Sequence, residues 1–568
     1  MATNLKPVDV AVVGLGAAGG VAVLPLARAG MKIAALEAGS WMKTTDFKAD
    51  EIHNNVLRRV TTGTKVWDEL PTFRTDPSQP ARRVATVPPM MNAVGGTSIH
   101  YYANSWRWQP WDFQARSETI KRYGARALPR GTTLEDWPVT YADLEPYYDL
   151  IEYEIGVSGK AGNLQGKIDN RGNVFEGPRK REYPMPPLRD TEFTGMLQGA
   201  AKKAGFHPHR SPAAINSQTY QGRSACAYHG YCDTGGCHIN AKNSTAVTTI
   251  PAALKTKNLT IYERAHVTRI VTGNSGKVTG VQYVRDGQEY FQPAGVVLLA
   301  SYTYENVRLL LLSKSKAFPN GLSNNHGQVG KHYIGHWAGR EVTGLFPFDL
   351  NIWWGANAQG VVVNDWADDS FDHAGLGFIG GASLTMNHEV HPIAGAAMPT
   401  FGRAPAWGSK WKAFVKENAG RWISCYAQCN SLPYENTWLD LDPTTKDKMG
   451  DPVIRITSGP KENEPRASAH AATKAEQWLR AAGAIDIVKV PGTGPILSTH
   501  AVGGTRMGDN PETNVTGKFG FSHEVPNLGI LGGSVMGIHG ARNPTETIQA
   551  LAWRTAEHLQ KNWKSIAE

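Results

Sequence analysis

The stretch DVAVVGLGAAGGVAVLPLARAGMKIAALEAG, residues 9–39, constrains this chain more than any other. An apolar run, a glycine cluster, a helical pattern and a second apolar run follow one another, which predicts strand, tight turn, helix and strand of a dinucleotide-binding unit. Gly14, Gly16 and Gly19 form G-x-G-x-x-G. The first glycine permits the turn, the second lets a pyrophosphate reach the backbone at a helix N-terminus, and the third lets helix and sheet pack closely. Glu37 ends the second strand, where its carboxylate would accept hydrogen bonds from an adenosine ribose. Pro25 lies in the middle of the helix and predicts a local kink, because it removes a backbone donor.

MMNAVGGTSIHYYANSWRW, residues 90–108, favours FAD over NAD as the dinucleotide. A glycine pair, Gly95 and Gly96, followed by Thr97, lets backbone lie flat against a bulky isoalloxazine ring, although such a pair also describes an ordinary turn. Two further glycine-rich elements come late, ILSTHAVGGTRMGD at 496–509 and VPNLGILGGSVMGIHGARNPTETIQALAWRTAEHL at 525–559. The last ends with Ile548, Leu551, Ala552 and Ala556 at helical spacing, so an amphipathic helix should return to the nucleotide domain.

The 568 residues with 60 glycines suggest an α/β architecture of two closely connected domains. The net charge of +9 would suit an acidic ligand, but no basic run with interleaved aromatics argues for nucleic acid. No signal-peptide pattern precedes the first strand and no segment nears the ~18 apolar residues of a membrane span, so the chain reads as soluble, with export needing a partner's signal. The middle of the chain, around FPFDLNIWWGANAQGVVVNDW, is broken and aromatic in pattern. Trp353, Trp354 and Trp366 are candidates for a sugar-binding wall and equally for core packing.

RSACAYHGYCDTGGCHINAKNST, residues 223–245, holds Cys226, Cys232 and Cys237 in the spacing C-x5-C-x4-C, with His229 and His238 beside them. Zinc sites usually use paired C-x2-C knuckles, and disulfides would leave one of three thiols over. Thiolates in a glycine-rich loop suit an iron–sulfur cluster, with three ligands pointing to [3Fe-4S] over [4Fe-4S]; zinc, a disulfide and inert thiols stay open. Cys425 and Cys429 read as buried small residues.

The four glycine elements, G-x-G-x-x-G, AVGGTSIH, THAVGGTRMG and HGARNPTETI, together resemble the glucose–methanol–choline (GMC) oxidoreductases, most of all the large flavin subunits of bacterial sugar and sugar-acid dehydrogenases. The resemblance implies a Rossmann-like FAD domain from residues 1–339 and 491–568 and an α+β substrate domain with an antiparallel sheet at 340–490. It assigns His500, in H-x-x-G-G, as the base that takes the hydroxyl proton while hydride passes to the flavin, and Asn543, in Asn-Pro, as the group that positions the substrate. His539 is the competing base. Val267 and Ser534 join the cofactor site, and His100 either bonds covalently to FAD or stacks near it. The three cysteines match a [3Fe-4S] site of such enzymes, one residue off in the second spacing. Where such enzymes usually have a glycine after the alanine that ends the strand, this chain departs from the pattern, and Tyr302 and Tyr304 should crowd a place close to the cofactor.

Implied partners are a sugar or sugar-acid substrate, a small chaperone-like subunit with an export signal, and a cytochrome c or other acceptor. The location would then be periplasmic, or cytoplasmic with a soluble acceptor. The rival readings are a pyranose or glycoside oxidase using dioxygen and a noncatalytic flavoprotein.

Overall fold

A computed structural model describes residues 2–57, 69–84, 90–232, 235–388, 391–489 and 498–567. Strand Val8–Val13, rich in β-branched residues, is buried along its last four positions and sits at the centre of an eight-stranded sheet. It pairs in parallel with Ile33–Leu36 on one side and Gln288–Leu299 on the other. Leu259–Tyr262 extends the parallel part, and Leu528–Ile530 pairs in parallel with Gln288–Leu299. His266–Thr272 and Val278–Arg285 add an antiparallel wing.

Gly14 leaves the first strand at φ +91°, and a Cβ there would meet the Ala300 carbonyl oxygen at 2.7 Å. Helix Gly19–Arg28 follows, buried from Gly19 to Ala27, and runs through Pro25 without ending. An apolar surface all round fits its position between the sheet and helices Thr249–Leu254 and Thr545–Lys561. The C-terminal helix does return to the nucleotide-binding unit, with Leu551, Ala552 and Ala556 buried and Ile548 at the edge of the core.

A second, six-stranded sheet is antiparallel throughout, in the order Asp486–Lys489, Ala338–Leu345, Trp422–Cys429, Ala382–Asn387, Gly360–Val363 and Pro208–Arg210. Its last strand comes from well upstream of the rest. Helix Asn463–Ala481 covers one face, placing Ala471, Ala475, Trp478 and Leu479 against Val342, Cys425 and Ala427. Cys425 and Cys429 are fully buried in this core, as small apolar residues would be. The 490/491 boundary expected from the sequence lies outside the described residues.

Two glycines separate close packing from mere flexibility. A Cβ on Gly19 would lie 2.0 Å from the Gly14 carbonyl oxygen, whereas on Gly195, on the exposed face of helix Glu192–Lys203, it would meet nothing within 4 Å. Gly19→Ala should therefore yield protein with little bound FAD and a lowered Tm. Gly195→Ala should keep its flavin and gain about 0.5–1 kcal/mol of stability. Flavin absorbance per protein and thermal unfolding of the two variants check both outcomes.

Candidate active site

One cavity connects the glycine turns to both residues expected to handle the substrate. Gly14, Gly16 and Glu37 line it at the nucleotide turn, Gly96, Thr97 and His100 along one wall, Val267 on another, and His500 and Asn543 beyond. Gly16 and Gly96 approach so closely that a Cβ on Gly96, at φ +54°, would sit 2.8 Å from the Gly16 Cα. Gly19 and Gly95 stand behind this wall and allow that approach; the Gly95 N–H donates to the Leu15 carbonyl at 2.9 Å.

The Glu37 carboxylate accepts from the Leu15 N–H (3.0 Å) and the Gly39 N–H (2.9 Å), which holds it at the cavity. A carboxylate has about four lone-pair positions, so acceptor capacity remains for ribose hydroxyls. Ser534 differs from expectation. It is fully buried behind the cavity, its hydroxyl oxygen accepting from the Asn306 amide at 2.9 Å, while the neighbouring Gly532 and Gly533 form the wall.

His100 is buried, and its Nε2 has no hydrogen-bond partner among the described residues. Burial, assisted by the Lys242 cation, pushes its pKa down to about 3, so the ring is neutral. An orphaned nitrogen on a cavity wall is what a bound flavin would explain.

At the other end, short pairings assemble the chemistry. Ile334–Gly335 pairs antiparallel with Ala501–Val502, so His336 follows one strand and His500 precedes the other. Their Nδ1 atoms lie 2.9 Å apart. Ser431 and His539 exchange two backbone hydrogen bonds of 2.9 Å, which brings His539 face to face with His336 at 3.7 Å between ring centres. Asn543, just before helix Thr545–Lys561, puts its Nδ2 3.1 Å from His500 Nε2. Its Oδ1 accepts from Trp106 Nε1–H at 3.0 Å and from the Gln428 amide at 3.3 Å.

Burial alone lowers the His500 pKa to about 4, and burial with the neighbouring imidazole lowers that of His539 to about 3. His336 falls well below the usual range for the same reasons. The three rings place nitrogens within 4.8 Å of one another. Yet His336 Nε2 binds the Cys429 carbonyl (3.1 Å), His539 Nδ1 binds the Gly540 carbonyl (2.8 Å), and those two rings stack. Metal-ligating imidazoles instead converge their lone pairs on one point, so this is a hydrogen-bonded stack. Of the two base candidates, His500 lines the cavity and His539 does not.

The aromatic expectations divide. None of Trp353, Trp354 and Trp366 lines this cavity; Trp366 packs edge-on against Phe206 in the second core. Tyr302 does line it, at φ +78°, with its hydroxyl donating to the Ser498 carbonyl at 2.6 Å, while Tyr304 is buried off the cavity with its hydroxyl 2.8 Å from that of Tyr333. His336, Trp106 and Gln428 carry no motif that would single them out in the sequence.

Cys226, Cys232 and Cys237 share a second, small cavity with His229, His238 and Lys242. Backbone N–H groups of Tyr228 and Ala241 donate to the sulfurs of Cys226 (3.4 Å) and Cys237 (3.3 Å). Lys242 Nζ donates to the carbonyls of Cys232 and Gly235 at 2.9 Å each, and the same cation acts on His100.

The depressed His500 value fixes a pH dependence. A base works when unprotonated, so substrate-driven flavin reduction should stay flat as pH falls through 6.5, the ordinary histidine value, and halve only near about 4. His100, His500 and His539 remain neutral in the fold where the unfolded chain takes up protons, so stability falls as pH drops below about 6.5. Stopped-flow pH jumps measure the rate before unfolding. Half-loss at 6.5 would contradict the buried base.

Comparison with known proteins agrees with this geometry. Residues 135–337 and 433–552 match the family models described as GMC oxidoreductase. The chain is 31% identical to the gluconate 2-dehydrogenase flavoprotein of Pantoea cypripedii, over 99% of this chain and 95% of that one. It is 26% identical to the fructose dehydrogenase large subunit of Gluconobacter japonicus, over 84% and 81% of the two chains. Its fold matches that of pyridoxine 4-oxidase from Mesorbium loti with a TM-score of 0.63 at 15% identity, covering 97% of this chain and 99% of that one. With a cavity shaped by the family's glycines and relatives that act on CH–OH groups, this chain belongs to the FAD-dependent GMC oxidoreductases.

Proposed function

We propose that the protein is a dehydrogenase that oxidises a hydroxyl of a sugar, glycoside or sugar acid to a carbonyl and exports the electrons through an iron–sulfur cluster. One observation carries the reading: a single cavity joins the dinucleotide turn at Gly14 to His500 and Asn543, and Lys242, which lines the cavity of the three cysteines, acts electrostatically on His100 in its wall.

Bound FAD supplies the hydride acceptor. His500 Nε2, held neutral by burial, takes the hydroxyl proton, and the Asn543 amide, 3.1 Å away, donates to the substrate oxygen and orients it. Cys226, Cys232 and Cys237 would hold a [3Fe-4S] cluster, which offers the one-electron outlet that an oxidase does not need. The gluconate 2-dehydrogenase flavoprotein and the fructose dehydrogenase large subunit support a sugar or sugar-acid substrate and a companion subunit. On this reading a small subunit carries the export signal, a cytochrome c accepts the electrons, and the enzyme works in the periplasm. Among the described residues no helix is long and apolar enough to cross a membrane. On this reading residues 1–339 with 491–568 hold FAD and supply His500 and Asn543, and 340–490, whose sheet strand Pro208–Arg210 joins, form the substrate side.

The test is anaerobic mixing with a panel of sugars, sugar acids and glycosides. At least one should bleach the flavin, an artificial electron acceptor should restore its colour faster than oxygen does, and His500→Ala should slow bleaching by about 10²–10⁴-fold. Iron and sulfide should accompany the purified protein and be lost in Cys232→Ser. Fast reoxidation by oxygen with stoichiometric peroxide and no iron would make it an oxidase, and failure of every compound to bleach the flavin would remove the sugar reading.

The orphaned Nε2 further supports His100 as a covalent anchor for FAD. Acid precipitation should then leave the pellet yellow, and His100→Ala should release the colour to the supernatant. A colourless wild-type pellet would show that FAD is held without a bond.

A further inference from the structure

We infer that His336 and Trp106 are positioning residues that lock His500, from opposite sides, in the tautomer with its proton on Nδ1 and its lone pair on Nε2. The inference rests on the reading of His500 as the base, and it explains why that histidine can accept a proton at the atom facing Asn543.

Each side begins from a group with only one hydrogen-bonding role. The Cys429 carbonyl can only accept, so His336 Nε2, 3.1 Å away, must carry a proton. That carbonyl also accepts from the Ser431 hydroxyl at 3.2 Å, which leaves its role unchanged. His336 is buried and neutral, so a protonated Nε2 leaves Nδ1 with a lone pair. Across 2.9 Å, His500 Nδ1 must then be the donor.

The opposite side starts from the Trp106 indole, which can only donate. Asn543 must turn its carbonyl oxygen to it at 3.0 Å, and the Gln428 amide donates to the same oxygen at 3.3 Å. The Asn543 NH₂ therefore faces His500 Nε2 at 3.1 Å, and that nitrogen must accept. Both chains of reasoning reach the same tautomer independently.

The other tautomer would meet two like-for-like contacts. A lone pair on His500 Nδ1 would oppose the lone pair on His336 Nδ1, and a proton on Nε2 would oppose the Asn543 NH₂. Relief would require His336 to abandon the Cys429 carbonyl and Asn543 to turn its NH₂ against the indole N–H, inside a site where unpaired polar groups are costly. When the substrate hydroxyl reacts, its O–H bond breaks, a bond forms between that proton and His500 Nε2, and the resulting imidazolium keeps its Nδ1–H directed at neutral His336. The His539 ring stacked on His336 at 3.7 Å holds the acceptor in place.

The test uses the flavin-loaded protein labelled with ¹⁵N-histidine, with the His500 signals identified by their loss in His500→Gln. Long-range ¹H–¹⁵N spectra of the resting wild type should show a protonated Nδ1 and an unprotonated Nε2 for His500. His336→Phe removes the acceptor but keeps a ring, and should produce a tautomer mixture; Trp106→Phe should do so from the other side. With whichever compound bleaches the wild-type flavin, both variants should reduce about 10–100-fold more slowly at saturation, with unchanged substrate affinity. His336→Gln, whose amide can both accept and donate, should recover most of the rate.

A proton on Nε2 in the wild type, or an unchanged tautomer in both folded variants, would overturn the lock. If one variant fails to fold, the other and the wild-type spectrum still decide. If the wild type shows the Nδ1–H tautomer and no hydroxyl compound bleaches the flavin, the alcohol reading fails while the lock stands.

Discussion

The site depends on a two-residue antiparallel pairing, Ile334–Gly335 with Ala501–Val502. It joins the entry to the second sheet, whose strand Ala338–Leu345 begins three residues after Gly335, to the glycine-rich segment that carries His500. Gly503, at φ +76°, lies so close to the His332 carbonyl that a Cβ would meet its oxygen at 2.0 Å. The pairing thus admits no side chain at the next turn. From this junction the imidazoles of residues 336 and 500 meet, and the Ser431–His539 backbone pair adds the third ring and the approach to Asn543. A shift of one residue in the register would turn His500 away from both neighbours.

The electrostatics follow from burial. His336 and His539 are fully buried and His500 partly so, and among the described residues no carboxylate hydrogen-bonds to any of them, so desolvation keeps all three neutral. A catalytic histidine paired with an acid would gain basicity; here it is a weak base kept unprotonated across the physiological range, and its orientation comes from neutral donors and acceptors. The nearby buried charges, Arg542 with Asp368 at 2.8 Å, compensate one another below the loop that delivers Asn543.

Local features were legible in the sequence. The turn glycines and the returning C-terminal helix follow from patterns spanning fewer than about 40 residues, where strand and helix periodicities act directly. The cavity placement of His500 and Asn543 was legible through motif resemblance. Ser534 was not, because its neighbours Gly532 and Gly533 form the wall and its side chain turns inward to Asn306. Of the two alternatives open to the tryptophans, Trp366 takes core packing, edge-on beside Phe206. His336 and Trp106 reach their partners across 164 and 437 residues, distances at which no periodicity carries a signal.

The most direct measurement of the central claim is a crystal structure of the protein with its own flavin. The account predicts the isoalloxazine ring between the Gly96–His100 wall and His500, with His500 Nε2 and the Asn543 amide facing the ring across the space left for a hydroxyl. A flavin seated elsewhere, or a His500 that keeps its hydrogen bonds but points away from the ring, would contradict it.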